Sequence, residues 1–402
     1  MLAGATAGMK RPAIGRAKVD IARDHVRRVN PWSAIAAIAA DLADVTPGLF
    51  TALNVAAVTV DTDHARYLAA RHLLAAGVPS VDAGVRADLW LARATVCAPA
   101  TGGACLIDGW TAEHLARAGE DVGMPCLGIE TGDGFPSTLV MGQAGGALAA
   151  REVLALAGVT AEAVHAGEEL RLDLRNRRLD RFRLDPNPRC AADHALASGR
   201  VAWLPIDPED VALDELMREC EVTDDTSLVF GAAEIVATAV CQLCVHVVAV
   251  YCAARRPLGE CPICGGPLAA ARRVRRVRWA DAAAAHRRPA SAWFRPGDVF
   301  AAEAAGAVRV FGFDPPAIAW EAGMPWDDAA GRTRFSRLPK ELDLARIRET
   351  RLGLIGLGHL GAALLQQLAP LPWKAILLLD RDTLAEHNRQ AYPLAVVEGV
   401  PA

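Results

Sequence analysis

Leu352-Gly353-Leu354-Ile355-Gly356-Leu357-Gly358-His359-Leu360-Gly361 opens the last part of a 402-residue chain, and the next apolar run closes as Ile376-Leu377-Leu378-Leu379-Asp380. An apolar run, a Gly-x-Gly-x-x-Gly turn, a helix-like stretch from Leu360 to Leu368 and a second apolar run make a strand–turn–helix–strand unit. Such a turn uses glycine for its tight bend, for backbone approach to phosphate and for close packing of helix on strand. The helix N-terminus offers free N–H groups and a partial positive charge to an anion. Asp380 stands where a carboxylate can bind ribose hydroxyls. The expectation is a nucleotide-binding βαβ unit in an α/β fold with a mostly parallel sheet. The turn alone leaves ATP and NAD(P) both open, and a degenerate unit kept only for packing is the plainer alternative. The following string, from Asp380, Arg381 and Asp382 to Asn388, Arg389 and Gln390, is unusually polar and offers an amide and a guanidinium to a polyphosphate.

Two strands cannot cover their own edges or faces, so the rest of the chain must supply neighbours. Residues 1–198 alternate helix-like and strand-like runs. Arg16 to Val29 has the spacing of an amphipathic helix. Ala56 to Val60 is a short buried strand running into Asp61-Thr62-Asp63. Ala65 to Ala76 is a second helix, stopped by Gly77 and Pro79, and Val78 to Ala83 a second buried strand. Thr138 to Ala157 is a long helix of small residues suited to packing on a sheet, and Glu168 to Leu184 alternates like an antiparallel hairpin. Residues 199–345 form a second block, with a β-like stretch from Asp298 to Phe313 and loops at Pro315, Pro316 and Pro325. Residues 346–402 are the third.

Half the chain, 52%, is hydrophobic, enough for two or three domains with cores of their own. The net charge of −4 argues against a nucleic-acid partner for the molecule as a whole. Met1 to Gly15 lacks the apolar core of a signal peptide, so a cytoplasmic, reducing location is expected. Ile235 to Ala254 carries no formal charge, but it contains Gln242, His246 and a cysteine pair. It is read as a strand and metal-binding turn, with no membrane span.

Ten cysteines are present, four of them in the pairs Cys241/Cys244 and Cys261/Cys264. Sixteen residues separate the pairs, which suits a zinc ribbon with four thiolates around a closed, structural Zn²⁺. Gly265 and Gly266 after the second pair permit the backbone of a metal knuckle. A redox pair does not explain two such motifs. Cys97, Cys105, Cys126, Cys190, Cys220 and Cys252 are scattered. Arg272, Arg273, Arg275, Arg276 and Arg278 followed by Trp279 could bind nucleic acid. The simpler reading is a solvated ribbon strand, or a surface for an acidic partner.

Gly-Leu-Gly-His-Leu-Gly, then the strand ending at Asp380 and Asp382, then Asn388, Arg389 and Gln390, resembles the start of the ThiF/HesA/MoeB superfamily, bacterial relatives of ubiquitin-activating enzymes. That family's later pieces resemble stretches at the beginning of this chain. Gly15 to Lys18 opens a helix that ends in Val29-Asn30-Pro31. Asp61 to Asp63 with Arg66 looks like the acidic strand end, and Val78 to Gly84 like the next strand and turn. Cys105 falls where a cysteine pair often starts, Cys126 near the crossover cysteine, and Pro136 to Gly158 along the closing helix. The order is therefore permuted, or the chain is a piece cut in the loop between Asn388 and Lys18. Either way, the C-terminal segment is expected to dock on the N-terminal block, within one chain or swapped between two in a homodimer. The sequence departs from the pattern in three places. Arg389 directly follows Asn388, Arg66 comes early after Asp63, and Leu106-Ile107-Asp108 after Cys105 breaks the family's Cys-x-x-Cys zinc pair.

The resemblance implies ATP-dependent adenylation of the C-terminal carboxylate of a ubiquitin-like or sulfur-carrier-like protein. It implies that Gly356, Gly358, Gly361 and Lys18 hold ATP phosphates, that Asp380, with Asp382 and Asn388 nearby, holds the ribose side, and that Asp63 binds Mg²⁺. It further implies that Arg389 neutralises charge in the transition state and that Cys126 can accept the acyl group as a thioester. Two other functions stay open: an NAD(P)-binding oxidoreductase, and a non-catalytic scaffold with a zinc-ribbon interaction module.

Overall fold

A computed structural model describes residues 14–98, 102–119, 138–162, 164–197, 199–231, 233–385, 388 and 392–394. In chain order the first elements are α1 (Lys18–Val29), β1 (Ala34–Ile38), β2 (Val55–Val58), α2 (Asp63–Ala75), β3 (Ser80–Arg86), β4 (Leu91–Cys97), α3 (Ala112–Gly119), α4 (Leu139–Leu156), β5 (Glu168–Asp173) and β6 (Arg178–Arg183). The second block supplies β7 (Val201–Leu204), α5 (Leu213–Glu219), β8 (Ser227–Phe230), β9 (Ile235–Cys241), β10 (Val247–Ala253), β11 (Leu268–Val274), β12 (Arg276–Arg278), β13 (Val299–Ala304), β14 (Ala307–Phe313) and α6 (Asp328–Arg334). The tail supplies α7 (Leu344–Glu349), β15 (Arg351–Ile355), α8 (His359–Leu368) and β16 (Ala375–Leu379).

The fold is mixed α/β. Its main sheet has eight strands in the order β1-β16-β15-β2-β3-β4-β5-β6. From β1 to β3 the pairing is parallel, with Ala34 opposite Ala375, Leu352 opposite Ile376 and Leu352 opposite Val55. From β3 to β6 it is antiparallel. The two tail strands thus lie between β1 and β2 of the front segment. The docking expected from the sequence occurs within one chain.

Parallel strands are covered on both faces and so read as continuous apolar runs. Every residue of β2 and β16 is buried. Successive side chains alternate between the faces. Leu352, Leu354, Ile376 and Leu378 join Val19 and Val26 of α1, Val153 of α4 and Leu364 of α8 in one core. Ala56, Val58, Leu377 and Leu379 join Phe50, Ala69 and Leu73 on the face covered by α2. The small residues of α4 allow a close approach: a methyl group at Gly146 would stand 3.0 Å from the backbone nitrogen of Leu364 in α8.

The second block holds two sheets. One is five-stranded, β12-β8-β13-β14-β7, over a core that includes Phe230, Trp293, Phe294, Phe300 and Phe313. The other is the three-stranded sheet β10-β9-β11. The charge-free stretch from Ile235 to Ala254 is the β9–β10 hairpin, as its composition indicated. At the seam with the main sheet, the Arg295 guanidinium donates to the carbonyls of Ala43, Asp44 and Val45 at 3.2, 3.1 and 2.7 Å. Arg71 of α2, fully buried, donates to the Phe230 carbonyl at 2.5 Å.

Candidate nucleotide cradle and metal centres

The glycine turn between β15 and α8 is seated on the end of β2. Gly356 has φ +86°, a left-handed conformation that favours glycine, and a methyl group there would stand 2.8 Å from the Val60 backbone nitrogen. Gly361 faces inward: a methyl group would overlap the Gly356 carbonyl oxygen and come within 2.5 Å of Thr59 Oγ1. That hydroxyl donates to the Gly356 carbonyl at 2.6 Å, so a front-segment side chain braces the tail's turn. Gly358, the N-cap of α8, meets no atom of the described residues within 4 Å of where a methyl group would stand. Internal packing therefore does not explain the glycine at Gly358, whereas close approach of a ligand to the backbone would.

The strand end after β16 returns to the front segment in the same way. Gly15 N–H donates to the Leu384 carbonyl at 2.8 Å, Lys18 N–H to the Asp382 carbonyl at 2.9 Å, and Leu384 N–H to the Arg16 carbonyl at 2.9 Å. Lys18 is 5% exposed, and its Nζ lies 2.8 Å from Asp382 Oδ2. Lys18 is therefore not a solvated helix charge. A buried ammonium is retained only with a partner, because desolvation costs several kcal/mol per ion, roughly, without one. Asp380 supports the turn through both oxygens, accepting from Leu357 N–H and, at 2.7 Å, from Asp382 N–H. Burial pushes its carboxyl above the usual range, and the charge of Lys18 opposes that rise.

His359 stands at the first position of α8 with its Nε2 buried and without a hydrogen-bond partner among the described residues. Burial lowers its pKa, with Asp61 and Lys18 acting on it in opposite senses. Asp63 is the first residue of α2, next to the N-cap Thr62, whose hydroxyl accepts from Ala65 N–H at 3.1 Å. Asn388 Oδ1 accepts from Ala385 N–H at 3.1 Å and so shapes the strand-end loop. Cys126, Arg389 and Gln390 lie outside the described residues. The structure thus brings Gly356, Gly358, Gly361, Asp380, Asp382 and Lys18 together, with the β2 end that leads to Asp63 against the turn.

The four ribbon cysteines converge. All their sulfurs lie within 4.8 Å of one another, with Cys241 to Cys264 at 3.4 Å and Cys244 to Cys261 at 3.6 Å. Tetrahedral Zn–S bonds place sulfurs about 3.8 Å apart. Leu243 and Cys244 N–H groups both donate to Cys241 Sγ at 3.4 Å. Gly265 takes φ +72°, as its place after Cys264 required. The matching position in the first knuckle is Val245 at φ +60°, a conformation a β-branched residue adopts only where its surroundings impose it. The cluster can hold a metal such as zinc.

A second cluster was not read from the sequence. Cys105, Asp108, Cys190 and His194 each offer a ligand atom within 4.8 Å of the others. Cys105 Sγ and Cys190 Sγ are 3.5 Å apart, and His194 Nε2 is 3.3 Å from Cys105 Sγ and 3.2 Å from Asp108 Oδ2. One imidazole nitrogen faces both the thiol and the carboxylate. Donor atoms grouped this closely could hold a metal ion. The Asp108 hydrogen bond holds the His194 pKa up to about 10, with Cys190 adding to it. The signal was Cys105-x-x-Asp108 with Cys190-x-x-x-His194, too degenerate a spacing to read in one dimension.

Four arginines of the run form ion pairs at the protein surface. Arg273 and Arg275 pair with Glu234, Arg276 with Asp193 and Glu303, and Arg278 with Asp225. A scan against protein-family models finds no match to this chain, and a search of curated proteins finds none either.

Proposed function

We propose that the chain is an ATP-dependent adenylating enzyme of the ThiF type, with a Rossmann-like nucleotide domain and an added zinc ribbon, acting on the C-terminus of a ubiquitin-like or carrier protein. The observation that carries this reading is the junction of the two ends of the chain: the tail's glycine turn braced by Thr59 and its strand-end Asp382 paired with the buried Lys18. A buried lysine beside a glycine turn supplies the cation a polyphosphate needs, which favours ATP over a dinucleotide.

In the proposed reaction a carboxylate oxygen of the partner attacks the α-phosphorus, an acyl-adenylate forms and pyrophosphate leaves. Gly356, Gly358 and Gly361 present backbone to the phosphates, and Lys18 exchanges its contact with Asp382 for phosphate oxygens. Asp380 orients the ribose while holding the turn. Asp63 is the carboxylate for Mg²⁺, a hard cation that prefers oxygen ligands and would neutralise phosphate charge. Arg389 would neutralise charge in the transition state, as the resemblance implies. Transfer to Cys126 would form a thioester and release AMP, the thiol proton leaving to solvent. Positioning and preorganised charge supply most of the rate.

Thermal unfolding with nucleotides tests this reading without knowledge of the partner. MgATP at a hundred times its Kd adds about 2.7 kcal/mol of stability and raises Tm by several degrees, while NAD⁺ leaves it unchanged. A rise with NAD⁺ alone favours the oxidoreductase. No rise with either, in protein that keeps its metal, favours the scaffold.

A further inference from the structure

In an open parallel sheet, ligands settle outside the carboxyl ends of the strands. β1 runs parallel to β16, and the Ile38 carbonyl at its end accepts from Asp380 N–H at 3.3 Å, so the loop after β1 borders the cradle. Asp41 of that loop pairs with Arg381, the residue between Asp380 and Asp382. Arg381 is half exposed, and its Nε lies 3.8 Å from Asp382 Oδ1. A guanidinium has five N–H donors, so Arg381 can keep Asp41 and still present donors to an anion.

The loop has little structure of its own. Residues 39–46 form neither helix nor strand. Two bonds within the loop shape its turn: Asp44 N–H donates to the Asp41 carbonyl at 3.0 Å, and Ala43 N–H to Asp41 Oδ1 at 2.9 Å. The second block grips the rest. Arg295 donates to the carbonyls of Ala43, Asp44 and Val45. Gly48 N–H donates to the Gly297 carbonyl at 2.8 Å, and a methyl group at Gly297 would stand 2.2 Å from Thr46 Oγ1. Arg295 is itself fixed, since its backbone N–H donates at 2.9 Å to Oδ2 of the buried Asp298, which lies 3.6 Å from Arg255 Nη2.

We propose that Arg295 is a positioning residue for the nucleotide: it holds the loop after β1, the loop holds Asp41, and Asp41 aims Arg381 across the mouth of the cradle. The second block thereby sets the affinity of a site to which it supplies no direct contact. This inference rests on the nucleotide reading above.

Calorimetric titration of the full chain with MgATP, well below the Tm of each variant, tests it. Arg295→Lys keeps a cation beside Asp298 and loses the planar fork that spans three carbonyls. Asp41→Asn keeps the acceptor for Ala43 N–H and loses the charge that pairs with Arg381. Each should raise the Kd about ten-fold, and the double variant no further than either alone, because both act through Arg381. Arg295→Gln should do the same as Arg295→Lys. Arg309→Gln breaks a pair with Glu221 elsewhere in the second block and should leave the Kd unchanged. A wild-type Kd in both Arg295→Lys and Asp41→Asn would overturn the inference and spare the nucleotide reading. So would a double variant weakened by the product of the two single effects, or an equal loss in Arg309→Gln, which would be general loosening. Wild type that binds no MgATP would remove the nucleotide reading and this inference together.

Discussion

A chain ending at residue 345 should not fold cooperatively, because it lacks the middle of its own sheet. Without β15 and β16, β1 loses its neighbour in the sheet and β2 loses one of its two. Leu352, Leu354, Ile355, Ile376, Leu377, Leu378 and Leu379 are essentially fully buried. At about 1.5–3 kcal/mol for each such side chain, their burial contributes roughly 10–20 kcal/mol, as much as or more than the usual net stability of about 5–15 kcal/mol. The expected result is loss of the near-UV circular dichroism signal and of a sharp thermal transition. Co-expression with residues 346–402 as a separate fragment should restore both, since the tail strands are held by hydrogen bonds and packing. A 1–345 chain that unfolds sharply at the wild-type temperature would contradict the sheet order.

Gly361→Ala should combine a structural and a functional loss. The added methyl group meets the Gly356 carbonyl and Thr59 Oγ1, and only the latter belongs to a side chain that can move. Overpacking of this kind costs about 1–3 kcal/mol, occasionally more. The turn must open to accommodate it, and that moves the backbone proposed to face the phosphates. Gly358→Ala is the informative contrast, because its methyl group meets no atom of the described residues. It should leave Tm within about 1 °C of wild type, within the small shifts expected of substitutions that touch nothing, and yet weaken ATP. Urea titration with the Tm shift by MgATP separates the two effects. Equal stability and equal ATP response in both variants would sink the assigned orientation of the turn.

The parallel half of the sheet was largely legible in the sequence, because strands buried on both faces leave continuous apolar runs such as Ile376 to Leu379. The glycine turn and the helix of small residues from Leu139 to Leu156 were legible for the same reason: their spacing is dictated by packing. β1 was not, since three of the five residues from Ala34 to Ile38 are alanine, which is depleted in strands. β4 was missed because the turn that joins it to β3, Ala87-Asp88-Leu89-Trp90, holds no glycine or proline. The five-stranded sheet of the second block was read only at β13 and β14; β7, β8 and β12 are too short to show a period. Among site residues, the burial of Lys18 depends on Asp382 at the other end of the chain. The Cys105–Asp108–Cys190–His194 cluster depends on a connector folding back on α2. Neither leaves a local pattern.

The central claim is that Lys18 and the tail's glycine turn form one phosphate site. An acyl-phosphate derivative of ATP, which transfers its acyl group to a lysine amine beside the bound phosphates, tests it most directly when labelled peptides are mapped by mass spectrometry. Lys18 should be labelled well above the exposed Lys340 and Lys374, and excess ATP but not NAD⁺ should suppress it. Labelling of Lys18 no greater than that of Lys340 and Lys374, or suppressed by NAD⁺ and not by ATP, would contradict the account.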